Sequence, residues 1–294
     1  MPSLPPRGVR DVVIPALFVL LWSTGFVGAK LGLPYCEPIT FLVLRFLCVL
    51  AILLPVCWLT HTTWPRANDA GHVAVAGVLI QGGYLGGVFT SIHQGMPAGV
   101  SALIVGMQPI LTAVVGARVL GERTVGRQWT GLALGLLGVL LVVWDKMTFE
   151  GVGAASVSLS VLALVSITAG TLWQKRYCSH VDLRSNSAIQ FIAALVLLAP
   201  LAALIESHAV RWSPEFVFAL AWLVLVLSLG AFFLLFLLIR RGAATRVASL
   251  MYLTPPSAAL VAWWLFGETF TLVSAAGMAL AVVAVWLVMH ETAS

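Results

Sequence analysis

The sequence predicts an all-α polytopic membrane protein: ten transmembrane helices forming two inverted five-helix repeats, with both termini in the cytoplasm. Three observations predict it. The chain is 61% hydrophobic and only 9% charged, against roughly 45–50% apolar and 25% charged residues in soluble domains, so its solvent is lipid. Its apolar runs recur at the length of about 20 residues that crosses a bilayer core. Finally, MQPILTAVVGARVLGE (107–122) returns as LTPPSAALVAWWLFGE (253–268), a self-match at fixed offset that dictates architecture.

The runs justify themselves in order. The first, 12–32, follows Arg7 and Arg10. It is too long for the apolar part of a signal peptide and has no clear small-x-small cleavage site, so it reads as an uncleaved helix. The second, 39–59, is apolar except at Arg45. The third, 72–92, contains GVLIQGGYLGGVFTS, whose Gly82/Gly86 and Gly83/Gly87 pairs let helix backbones approach. The fourth, 98–118, carries Pro109, which has no N–H to return to the carbonyl of Val105 and must kink the helix. The fifth, 127–145, is a Gly- and Leu-rich closing span. The sixth, 154–174, opens the second repeat. The seventh, 186–205, repeats the second, with Phe191 and Pro200 falling where Phe46 and Pro55 stood. The eighth, 216–239, replaces the glycines of the third with Phe232, Phe233 and Phe236. The ninth, 246–266, places Pro255 where the fourth has Pro109, and the tenth, 271–289, closes the chain.

The repeats are therefore 1–147 and 148–294. Five helices each is an odd number, so the second repeat enters the membrane from the opposite side. Such inverted repeats build transporters whose site lies at the repeat interface near the midplane. Charge supports the count. With the N-terminus inside, twelve of the sixteen basic residues fall in cytoplasmic segments: Arg7, Arg10, Arg66, Arg118, Arg123, Arg127, Lys175, Arg176, Arg184, Arg240, Arg241 and Arg246. That is the asymmetry of the positive-inside rule. The net charge of +5 is thus a topology signal, and nucleic acid is not an expected partner. Four scattered cysteines have neither disulfide nor metal spacing; no metal or other cofactor is expected.

The candidate site follows from what lines the middle. Ser101 and Gln108 share one face of the fourth span. Gln81 and Tyr84 form a polar stripe on the third. Tyr252 lies on the ninth beside the Pro255 kink, and Phe232 and Phe236 lie on the eighth. Trp22 and Trp173, on the first and sixth, are placed to close the pocket's ends. Arg45 has two readings: it snorkels outward to Glu37, or it lends its charge to the cavity or gate and binds an anionic group. Lys30 belongs to the same outer group. All eleven acidic residues lie at or beyond span ends. A carrier of permanent cations, or one with a carboxylate proton relay, needs an acid in the membrane. A neutral, zwitterionic or weakly anionic solute fits better. A channel would need a filter-like ring, and an intramembrane enzyme a nucleophile–base pair or a metal motif; neither is present.

The duplicated P-x11-G-E, Pro109…Gly121–Glu122 and Pro255…Gly267–Glu268, together with LLWSTGFVGAK at 20–30, resembles the drug/metabolite transporter superfamily, EamA type, over the whole chain. The resemblance implies a ten-helix carrier, not an enzyme. It implies a central cavity among spans one to four and six to nine, and spans five and ten at the periphery. It also implies export of amino acids and related metabolites from the cytoplasm across the inner membrane, with the aromatic amino acid exporters as one subgroup. The expected partners are a small-molecule substrate and the lipid bilayer, and fused repeats make a monomer sufficient. Glu122 and Glu268 are expected to cap helices at the membrane surface.

Overall fold

A computed structural model of the chain describes residues 10–120, 126–149, 152–231, 234, 254–268 and 271–289. Among them every regular element is helical: α1 (Arg10–Gly32), α2 (Pro38–Leu59), α3 (Ala67–His93), α4 (Ala98–Val105), α5 (Gln108–Leu120), α6 (Gly126–Phe149), α7 (Ala154–Tyr177), α8 (Leu183–Ile205), α9 (Pro214–Ala231), α10 (Thr254–Phe266) and α11 (Leu272–Met289). Of these, α2, α3, α7, α8 and α9 are long and apolar enough to cross a membrane by length and composition. Helices are the form such a chain must take, because lipid offers no partner to a backbone N–H or C=O.

Local chemistry sets the ends and breaks. Pro38 and Pro214 stand at the first turns of α2 and α9, where their missing N–H costs nothing. Ser213 accepts from the Phe216 N–H, and Asp182 accepts from the Arg184 N–H as the cap of α8. The fourth span is broken: α4 ends at Val105, Gly106 and Met107 form a turn, and α5 restarts one residue before Pro109. In the second repeat the described part of the ninth span begins at Thr254, the position that corresponds to Gln108.

Two stretches widen from α-helix into π-helix, Val78–Tyr84 within α3 and Trp222–Ala231 within α9. At the offset of the repeat they fall on one another. Such bulges recur at functional sites.

Packing follows the duplication. Helices α2 and α8, counterparts in the two repeats, lie against each other, as do α6 and α11; α1 packs on α10, and α7 packs on α5. The α2–α8 contact seats Phe46 against Phe191, the very pair the repeat aligns. Close approach needs glycine where backbones meet. A Cβ on Gly277 of α11 would stand 2.6 Å from the Gly138 carbonyl of α6, and one on Gly77 of α3 would stand 2.5 Å from Gln190 Cα of α8. Asp145 is buried near the end of α6 and pins it to the start of α11, accepting from Thr271 Oγ1 at 2.8 Å and Ser274 Oγ at 2.6 Å.

Candidate substrate cavity

Helices α1, α2, α3, α7 and α9 surround a cavity of about 90 Å³, to which both repeats contribute. Trp22, Phe26 and Phe89 supply rings, Gln81 and Tyr84 supply polar atoms from the π segment of α3, and Arg45 enters from α2. Gly25 also borders it; a Cβ there would meet Leu227 Cδ2 of α9 at 3.0 Å. The lining is mainly apolar with a few polar groups in fixed places, the ordinary chemistry of a small-molecule site.

Arg45 dominates its electrostatics. It is only 5% exposed. Its Nε and Nη2 both donate to Ser228 Oγ, at 3.3 and 3.0 Å. Ser228 in turn donates to the Leu223 carbonyl at 2.9 Å, which leaves its lone pairs free to accept. Ser228 belongs to the π segment of α9, and Arg45 borders the cavity together with residues of both π segments, Ile80, Gln81 and Tyr84 of α3 and Leu227 of α9. Arg45 does not snorkel to Glu37. That carboxylate instead accepts from the Ser207 N–H and hydroxyl at 2.7 Å each, which holds its pKa below the ordinary 4.5. Among the described residues no carboxylate lies within ion-pair distance of Arg45.

Lys30 lies elsewhere. Its Nζ stands 2.6 Å from Glu268 Oε1 and 4.6 Å from the centre of the Phe266 ring. Glu268 also accepts from the Ala98 and Gly99 N–H groups, at 2.9 and 3.2 Å. It therefore caps a helix as expected, but the helix is α4 of the other repeat. Charge meets the positive end of a helix there, a favourable placement for an anion. A second carboxylate does the same nearby: Glu206, just past α8, accepts from the Ile39 and Thr40 N–H groups at the start of α2. Two carboxylates of the second repeat thus stitch it to helix starts of the first. Cys36, buried beside Glu206 and Glu37, has its thiol pushed up to about 12, chiefly by burial, and stays protonated.

The other expected site residues are dispersed. Trp173 lies outside the cavity lining, against His72 and Tyr177, with its Nε1 donating to the His72 carbonyl at 3.1 Å. Ser101 sits in a buried cluster with Ser160 and Ser91. Gln108 donates to Thr112 and Thr171, both at 3.3 Å. Pro109 stands in the first turn of α5, and Pro255 in the first turn of α10. Phe232, Phe236, Tyr252 and Glu122 lie outside the described residues. Sequence reasoning passed over Phe26, Phe89 and Ser228. Phe26 had a signal, one helical turn from Trp22; the other two had none. No group of three His, Cys, Asp or Glu among the described residues could hold a metal ion.

A two-repeat helical fold around a shared cavity defines the class: a multi-pass membrane transporter. The profile of the EamA-like transporter family matches residues 12–144 and again 154–290, and the chain belongs to that family. A "Probable amino-acid metabolite efflux pump" of Salmonella typhimurium is 26% identical over 282 residues, 92% of each chain. Its Escherichia coli K12 namesake is 28% identical over 191 residues, which span 65% of this chain but only 62% of that protein. An "Uncharacterized inner membrane transporter" of Escherichia coli K12 is 27% identical, covering 93% of this chain and 89% of its own. One solved crystal structure superposes with a TM-score of 0.66 at 19% identity, over 96% of this chain and 98% of that one, and so shares the fold.

Proposed function

We propose that this transporter exports small amphipathic metabolites, foremost neutral and aromatic amino acids, from the cytoplasm by alternating access through the cavity beside Arg45. The reading includes ten spans in two inverted repeats, 1–147 and 148–294, with both termini cytoplasmic in the inner membrane and a monomer as the working unit. The observation that carries it is a ring-lined cavity to which both repeats contribute, with π segments of both facing it. At about 90 Å³ it is smaller than the roughly 150 Å³ that admits benzene in an engineered core. A substrate with a ring therefore enters only when the helices part. The break at Gly106–Met107 and the two π segments are where they give way. The names of the relatives support amino-acid metabolites as cargo, and the placement of the acidic residues at or beyond the ends of the apolar runs supports exchange without an imposed proton gradient.

The test is counterflow in proteoliposomes preloaded with a panel of amino acids and related metabolites, with and without a pH gradient. Exchange of aromatic or branched amino acids without a gradient is expected. Exchange only with a gradient removes the uncoupled reading, and silence across the panel removes the cargo.

A further inference from the structure

Resting on that reading of the cavity as the transport site, we infer that Arg45 is a carboxylate anchor, and that the preferred cargo is an organic monoanion with an apolar or aromatic body. A carboxylate whose amino group is absent or acylated then binds better than the zwitterionic amino acid.

The argument is one of charge balance. A guanidinium carries five N–H donors and a permanent charge. The two N–H groups that Arg45 spends go to one hydroxyl oxygen, which carries no charge. A buried cation without a counter-charge is costly unless something neutralises it. No described carboxylate does so. Residues 232–253, between the described parts of the eighth and ninth spans, contain no Asp or Glu in their sequence either. Arg45 nevertheless lines a cavity bounded by Trp22, Phe26, Tyr84 and Phe89. A planar carboxylate meets the guanidinium fork in two parallel bonds, and the rings accept the body behind it. Ser228, fixed by its own bond to the Leu223 carbonyl, holds the fork in place from one side. The same inventory discriminates against a cationic group. An α-ammonium brought into this cavity would find one permanent positive charge and no negative one, so the zwitterion gains at one end and loses at the other.

The test compares three probes with one ring at neutral pH, using calorimetry on the purified full chain: N-acetylphenylalanine as anion, phenylalanine as zwitterion and phenylalanine amide as cation. The anion is expected to bind about tenfold more tightly than the zwitterion, whose ammonium enters beside Arg45 with no counter-charge, and the cation is expected not to bind, because it has no carboxylate to meet the guanidinium. Arg45→Gln should weaken the anion by about tenfold or more, and Arg45→Lys should recover part of the loss, since it keeps the charge without the fork. An anion no tighter than the zwitterion overturns the inference, and that comparison needs no variant. Arg45→Gln protein that melts like the parent and still binds N-acetylphenylalanine within about twofold, far short of an ion-pair loss, also overturns it. The two readings fail separately. Amino-acid counterflow with the charge order reversed leaves the carrier and removes the anion site. Arg45-dependent binding without exchange of any probe leaves the anion site and removes the carrier.

Discussion

Lys30 and Arg45 are both cations set into the body of the protein, one on each of the first two helices, and they are held in opposite ways. Lys30, still 31% exposed along its side chain, has a carboxylate at 2.6 Å and an aromatic face beneath it. Arg45, more deeply buried, has a serine hydroxyl. Around Lys30 the account is complete within the protein: Glu268 answers its charge and caps α4 besides. Around Arg45 it is left open toward a cavity. A compensated charge belongs to the architecture; on the proposal made above, an uncompensated one, kept at cost, belongs to what passes through.

The sharpest way to break this contrast is Arg45→Met. Transport should fall by about tenfold or more, since the anchor is gone. The melting temperature should hold or rise, because an apolar side chain of similar reach removes a buried charge. Counterflow and melting on one preparation check both halves of that statement. Glu268→Ala should do the reverse. It strands Lys30 and uncaps α4, so stability should drop by about 1–3 kcal/mol, read as lower melting with faster amide exchange at Ala98 and Gly99. Ser228→Ala sharpens the contrast more gently. It removes the guanidinium's support without its charge, and the apparent affinity should weaken by about threefold in a counterflow titration. The smallest effect lies at the outer edge. Glu37 has its pKa lowered by the Ser207 hydrogen bonds, so the link it makes is present above the ordinary carboxylate value of 4.5 and is lost as pH falls through the depressed one. Exchange at the Ser207 amide should therefore rise only in acid below that value, and Glu37→Gln should abolish the dependence.

Hydropathy and the repeat made the order of helices legible, because lipid imposes length and composition directly. Pro109 foretold the interruption of the fourth span, since a missing N–H is written in the residue itself. The π segments were not legible: one residue too many in a turn changes no composition, and only the packing of α3 and α9 selects it. Glu268 was legible as a cap but not as the cap of α4, because a hydrogen bond across 170 positions leaves no local pattern. Arg45 stood out as a charge in an apolar run. Whether it reached outward or inward depended on Ser228, which lies in the other repeat.

The bond from Lys30 to Glu268 also bears on how the protein is made. The partners are 238 residues apart in sequence. At about 5–20 residues per second, Lys30 is threaded into the membrane roughly ten to fifty seconds before its counter-charge is synthesised. For that interval the first repeat holds an unanswered lysine and an α4 whose opening N–H groups have no acceptor from Glu268. The amino-terminal half is thus built to wait, and a ribosome that stalls short of Glu268 leaves behind an unfinished protein, not a smaller one.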